Sequence, residues 1–98
     1  MTELTEVEQT DKTHLLEVSF LDLNTNETAR FAVQGDLTLL RAWDIAYDKL
    51  GETRRPNDEL ESRSGQPLTS DLDKTIRYVK EHVVHDLKFQ IHGEQGGA

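Results

Sequence analysis

Residues 38–51 read TLLRAWDIAYDKLG, and this stretch decides how the rest of the chain is interpreted. Its apolar residues recur at spacings of three and four, the pattern of one face of a helix: Leu39, Leu40, Ala42, Trp43, Ala46, Tyr47 and Leu50. Thr38 can cap the first turn through its hydroxyl, and Gly51 stands where a left-handed residue commonly ends a helix. We therefore predict a helix over residues 39–50, whose apolar face needs a sheet to cover it.

The residues before this helix predict a β-hairpin. Apolar side chains recur at every second position in two short segments: Leu16, Val18 and Phe20, then Phe31 and Val33. Residues 24–27 lie between the two segments and include Asn24 and Asn26, which tolerate the left-handed conformations of a tight reversal. The two strands of this hairpin are expected to supply the sheet face that the helix covers.

The residues after the helix predict two further strands joined by a crossover. Residues 59–63 form a short polar strand with Leu60 inward, and residues 64–67 form a turn. Leu68 and Leu72 then return to the core. Residues 73–85 have no clean apolar period, and we interpret them as an irregular crossover with room for a single turn of helix. A last strand follows, in which three apolar residues alternate with three polar ones: Leu87, Phe89 and Ile91 with Lys88, Gln90 and His92.

A chain of 98 residues is long enough for one domain. Residues 1–13 are acidic and poor in large apolar groups, so we predict a disordered arm there. The folded domain is predicted over residues 14–92. Residues 93–98 have no large side chain to bury and are predicted to be a flexible tail carrying a diglycine.

Composition excludes several classes of function. The formal net charge is −8, from 19 acidic and 11 basic residues, so a nucleic-acid partner is not expected. The chain has no cysteine, which rules out disulfides, thiolate metal ligands and a thiol nucleophile. It also has no long apolar run and an acidic N-terminus, so we expect a cytoplasmic protein without a membrane partner. No cofactor and no catalytic residue are indicated.

The predicted order of elements is that of an α+β fold in which a mixed sheet packs on one helix, and it resembles the β-grasp of ubiquitin. Within residues 14–97, three segments resemble a bacterial family of ubiquitin-like proteins. They are residues 37–51, which begin with Leu37-Thr38-Leu39-Leu40 and end with Lys49-Leu50-Gly51, then Glu59-Leu60, and then residues 65–68. The tail sequence Gly96-Gly97-Ala98 is the most specific part of the resemblance.

This resemblance implies a protein modifier rather than an enzyme. A zinc-dependent, deubiquitinase-like peptidase would remove Ala98, and an ATP-dependent activating enzyme would adenylate the carboxylate of Gly97. A conjugating-type enzyme would then pass it to target proteins. Gly96 and Gly97 suit such a tail because a Cβ would clash in the narrow channel that leads to ATP. The family also implies a bacterial operon and a role in antiviral defence.

Two alternatives remain open from the sequence. One is a non-covalent β-grasp adaptor, for which the diglycine would be dispensable. The other is a sulfur carrier, whose C-terminal glycine would become a thiocarboxylate. Ubiquitin has an arginine in its tail and an apolar patch on its third and last strands, whereas this chain has Glu94 in its tail and Glu61, Ser62 and Arg63 on its third strand. A dedicated set of enzymes is therefore expected.

Three other groups of residues are of types found in functional sites. A metal cluster would need convergent ligands, which the spacing of His82, His85 and His92 with Glu81 and Asp86 does not guarantee, so surface histidines are expected. Trp43 and Tyr47 are expected in the core or at a half-exposed rim of the helix rather than in a binding hot spot. Five aspartates are expected to be solvated turn and cap residues: Asp22, Asp36, Asp44, Asp71 and Asp73.

Overall fold

The computed structural model describes residues 15–93. In chain order the elements are β1 (Leu15–Asp22), β2 (Glu27–Gln34), α1 (Leu39–Leu50), β3 (Glu59–Ser62), a 3-10 turn (Thr69–Asp71), α2 (Ile76–His82) and β4 (Lys88–His92). The predicted acidic arm and the diglycine lie outside the described residues.

The four strands form one mixed sheet in the order β2-β1-β4-β3. β1 pairs antiparallel with β2, from Leu15 opposite Gln34 to Asp22 opposite Glu27. β4 lies in the middle of the sheet, parallel to β1 and antiparallel to β3. Helix α1 packs on one face of this sheet, which confirms the predicted α+β architecture of a mixed sheet on one helix.

The hairpin turn and helix α1 form where the sequence predicts them. Asn26 has a φ of 65°, the left-handed conformation expected in this reversal. The Thr38 hydroxyl accepts a hydrogen bond from the Arg41 N–H at 3.2 Å, which caps the start of α1. Gly51 ends the helix with a φ of 74° and donates its N–H to the Asp48 carbonyl at 3.2 Å.

The core lies between α1 and the inner face of the sheet. Phe20 stacks on Phe31 and on Phe89, with ring centroids 5.8 and 5.0 Å apart. Trp43 and Tyr47 are each only 4% exposed, so both lie in the core, one of the two places expected for them. The other large side chains with almost no exposure come from all parts of the fold: Val18, Leu39, Leu60, Leu68, Ile76, Val79 and Ile91.

The crossover before β4 differs from the prediction. It contains a seven-residue helix, α2, rather than a single turn. Thr75 caps this helix by accepting a hydrogen bond from the Tyr78 N–H at 3.1 Å, and Ile76 and Val79 are fully buried. Leu87 was predicted to begin the last strand, but it has a φ of 53° and precedes β4. Leu87 is nevertheless buried, because the turn points its side chain into the core.

Candidate functional site at the C-terminal end of β4

The predicted conjugation and processing residues Gly96, Gly97 and Ala98 lie outside the described residues. The structure does describe the point from which the chain continues toward them. β4 ends at His92, and Gly93 follows it, three residues before Gly96. The geometry around Gly93 is therefore the described part of the candidate site.

The end of β4 is held from both sides. Its neighbour β3 pairs Glu59 with His92. On the other side, the Leu23 N–H donates to the Ile91 carbonyl at 3.0 Å, one residue beyond the end of β1. Because β4 is a central strand with a partner on each edge, its last residues are fixed in position and direction.

Gly93 is buried against polar side chains. A Cβ at this position would lie 2.6 Å from each of the two polar atoms of the Asn24 carboxamide and 2.9 Å from Oδ1 of Asp58. Real Cβ atoms do not approach other heavy atoms so closely, and therefore a side chain could enter only if Asn24 and Asp58 moved. Packing against these two side chains, rather than backbone conformation, favours glycine here.

Asp58 belongs to a buried charged network under this exit point. Its Oδ2 accepts a hydrogen bond from the Tyr47 hydroxyl at 2.7 Å, and the Nε of Arg55 lies 3.2 Å from both carboxylate oxygens. Burial acts to raise the pKa of Asp58, but the hydrogen bonds from Tyr47 and Arg55 outweigh it, and the net pKa is below the ordinary value. Burial and the bond to Asp58 raise the pKa of Tyr47.

Asp22 is the second buried carboxylate of this network, with no exposed surface. Its Oδ1 accepts the Asn24 backbone N–H at 2.9 Å, and its Oδ2 lies 3.4 Å from Nη2 of Arg55. A hydrogen bond to Asp22, together with burial, raises the pKa of Glu52. Nη1 of Arg55 also lies 3.3 Å from Oε1 of Glu52, so Arg55 forms ion pairs with three carboxyl groups, those of Asp22, Glu52 and Asp58.

The expectation that Asp22 is a solvated turn residue was wrong. Asp22 does bind the turn through the Asn24 N–H, but its carboxylate is inside the protein. The sequence contained a signal for this, because Asp22 continues the inward positions of residues 16, 18 and 20. The same signal was missed for Asp58, which stands two residues before inward-facing Leu60 and therefore also falls on an inward position.

The outer face of β3 and β4, on the side away from α1, is polar. Glu59 and Glu61 alternate with buried Leu60, and Gln90 and His92 alternate with buried Ile91. The Gln90 side-chain amide donates to Glu61 at 2.9 Å. Ser62, predicted as part of the surface that departs from ubiquitin, points inward and is only 6% exposed. The polar character of this face is otherwise as the sequence indicated.

One group of side chains on this face has ligand atoms close enough to hold a cation. Glu59, Glu61 and His92 place one such atom each within 4.8 Å of the others. Two carboxylates and an imidazole form a donor set that a transition metal accepts. This group shares only His92 with the histidine cluster described from the sequence. His85 instead places its Nδ1 2.8 Å from the Lys80 carbonyl oxygen, and His82 lies 3.9 Å from Glu81.

Comparison with known proteins identifies the fold. No protein-family model matches the sequence, and no curated protein matches it. Among solved structures, the ubiquitin-like (UBL) domain of yeast Ddi1 is similar, with a TM-score of 0.62 over 83% of this chain and 91% of that one, at 15% identity. The protein therefore has a ubiquitin-like β-grasp fold. Within residues 15–93, no helix has the length and apolar character that a membrane span requires.

Proposed function

We propose, from the premise of a ubiquitin-like β-grasp fold, that this chain is a protein modifier conjugated through the Gly97 carboxylate after removal of Ala98. The observation that carries the proposal is the position of β4. This strand is central in the sheet, and the sequence reaches Gly96-Gly97 only four residues after it ends at His92. A firmly held domain would then present a short glycine terminus to partner enzymes.

The length of the segment supports this role. Four residues follow Gly93 up to and including Gly97, and they span at most about 14 Å when fully extended. That reach lets a terminal carboxylate enter a partner while the folded domain stays outside. The two final glycines add no Cβ that would obstruct a narrow channel.

The proposed chemistry proceeds in five steps on the partners. A zinc-dependent peptidase hydrolyses the Gly97–Ala98 bond with one water and frees alanine. The Gly97 carboxylate then attacks the α-phosphorus of ATP on an activating enzyme, forming an acyl adenylate and releasing pyrophosphate. A cysteine thiolate of the partner displaces AMP and forms a thioester. After transfer to a conjugating-type enzyme, a target amine attacks the thioester carbonyl, forms an isopeptide bond and releases the thiol.

The partners would be a dedicated set. In this account every catalytic group belongs to the partners, and this chain, which has no cysteine, supplies only its carboxylate. Glu59 and Glu61 give the outer face of β3 a negative charge, so a reader of ubiquitin's apolar patch would gain little from it. We assign the partners, from the sequence resemblance, to a bacterial cytoplasm and an antiviral operon.

A non-covalent interaction module is the second candidate. The observation that favours it is the similarity to a UBL domain, which is by its description one part of a larger protein. In this case the sheet surface would bind a partner directly. Removal of residues 96–98 would leave that binding unchanged, whereas it would abolish conjugation.

The test is intact-protein mass spectrometry of the chain, first with the peptidase and then with the activating enzyme and ATP. The modifier predicts the loss of one alanine, followed by an adduct on the enzyme that a reducing agent releases. A chain produced to end at Gly97 should bypass the peptidase, and Gly97→Ala should form no adduct. If the mass stays unchanged with enzymes active on a control substrate, the proposal fails. A product in which sulfur replaces one oxygen would instead identify a sulfur carrier.

A further inference from the structure

Strands β3 and β4 place two glutamates and a histidine together on the outer face of the sheet. In the register of the two strands, His92 lies directly opposite Glu59. Glu61 stands two residues further along β3 and therefore faces the same side, diagonal to His92. One carboxylate oxygen of each glutamate and one ring nitrogen of His92 lie within 4.8 Å of one another. Strand pairing thus gathers three ligand atoms at one place.

The spacing of these atoms is close to what a zinc ion needs. Zn²⁺ binds nitrogen and oxygen ligands at about 2.0–2.2 Å, so two ligand atoms of a tetrahedral ion are about 3.4 Å apart. Nδ1 of His92 already lies 3.8 Å from Oε2 of Glu61. Because Glu59 and His92 are exposed, rotation of their side chains can close the remaining distances without moving the backbone.

Glu61 is the anchored member of the group. Its side chain is only 15% exposed, and its Oε1 accepts a hydrogen bond from the side-chain amide of Gln90 at 2.9 Å. The other oxygen, Oε2, is the one that lies beside His92. A hydrogen bond from outside the ligand set fixes the orientation of a ligating carboxylate and strengthens metal binding. Gln90 therefore holds Glu61 with one oxygen turned toward the shared point.

The charge and the donor atoms of the group select the kind of cation. Within residues 15–93, no lysine or arginine forms an ion pair with Glu59 or Glu61, so a divalent cation would compensate both carboxylates. Mg²⁺ and Ca²⁺ take oxygen ligands, whereas Zn²⁺ accepts imidazole together with carboxylates. The presence of His92 therefore favours zinc over the two oxygen-binding ions.

We propose that Glu59, Glu61 and His92 form a Zn²⁺ site with three protein ligands and one open position. The ion would join the edge strand β3 to the central strand β4. Its open position would face away from the sheet, where water or a side chain of a partner protein could complete the coordination. The site uses only residues of β3 and β4, so it does not rest on the proposed function.

Calorimetric titration of the full chain with ZnCl₂ tests the site. The unaltered chain should bind one Zn²⁺. His92→Ala and Glu61→Gln should each weaken binding at least about tenfold, since even the loss of a residue that only orients a ligand costs that much. The glutamine at position 61 can still accept the hydrogen bond from Gln90. His82→Ala is the matched control, because His82 lies 3.9 Å from a single glutamate, Glu81, and it should leave the affinity unchanged.

Urea unfolding gives a second measurement that does not depend on heat. Zn²⁺ should raise the urea midpoint of the unaltered chain, a chelator should reverse the rise, and His92→Ala should show no rise. The inference is overturned if about 1 mM Zn²⁺ fails to bind. It is also overturned if His92→Ala binds zinc as tightly as the unaltered chain, or if Mg²⁺ binds as tightly as Zn²⁺, because the acidic surface would then attract cations without a specific site.

Discussion

Replacing Tyr47 by Phe tests whether the charged network under the end of β4 stabilises the fold. The change removes one hydroxyl, which donates to the Asp58 carboxylate at 2.7 Å in a site where both side chains are buried. A hydrogen bond to a charged group contributes about 1.5–3 kcal/mol. Arg55 remains 3.2 Å from both Asp58 oxygens, so the carboxylate keeps its cation. We therefore expect a loss near the middle of that range, about 2 kcal/mol.

Urea unfolding followed by circular dichroism measures this loss. For a domain of this size, about 2 kcal/mol corresponds to a fall in Tm of roughly 8–16 °C. The urea midpoint should fall while the slope m stays the same, because the surface exposed on unfolding is unchanged. Tyr78→Phe is the matched control, since Tyr78 is 41% exposed, and it should change stability by less than about 0.5 kcal/mol. A Tyr47→Phe variant as stable as Tyr78→Phe would refute the role of the network.

Three further predictions concern Asp58, Gly93 and Gly97. Because the pKa of Asp58 is lowered in the folded protein, its carboxylate stabilises the fold above the ordinary aspartate pKa of 3.8, and this stabilisation is lost as the pH falls below that value. Asp58→Asn should therefore reduce the loss of stability at acid pH, measured by urea unfolding at a series of pH values. Gly93→Ala should lower the free energy of unfolding by about 1–3 kcal/mol through overpacking, whereas His92→Ala on the exposed face should not. Gly97→Ala should leave the Tm unchanged in calorimetry and abolish adduct formation with the activating enzyme.

The parts of the fold that the sequence predicted are those with local causes. Helix α1 has its cap at Thr38, its apolar period and its terminal Gly51 within one short stretch. The hairpin is set by alternation and by Asn26. Helix α2 was underestimated although Thr75 offered the same kind of cap as Thr38, because the apolar residues around it gave no clean period.

The charged network could not be predicted because one of its two buried carboxylates, Asp22, lies 33 residues before Arg55 in the sequence. Arg55 meets Asp22 only after β1, α1 and the loop before β3 have come together. The packing of Gly93 against Asn24 depends in the same way on the parallel pairing of β1 with β4, which brings the C-terminal ends of these two strands side by side. Period-two alternation could place Asp22 inside, but it could not identify the cation that accompanies it.

In the proposed modifier Gly97 becomes covalently joined to targets, and tryptic peptide mapping of conjugates from cells detects that bond. The last Lys or Arg before Gly97 is Lys88, so trypsin should leave residues 89–97, FQIHGEQGG, attached to the target. We expect target peptides that carry this branch through an isopeptide bond from Gly97. Recovery of the C-terminal peptide only in its unbranched form, FQIHGEQGGA, from cells that contain the partner enzymes would contradict it.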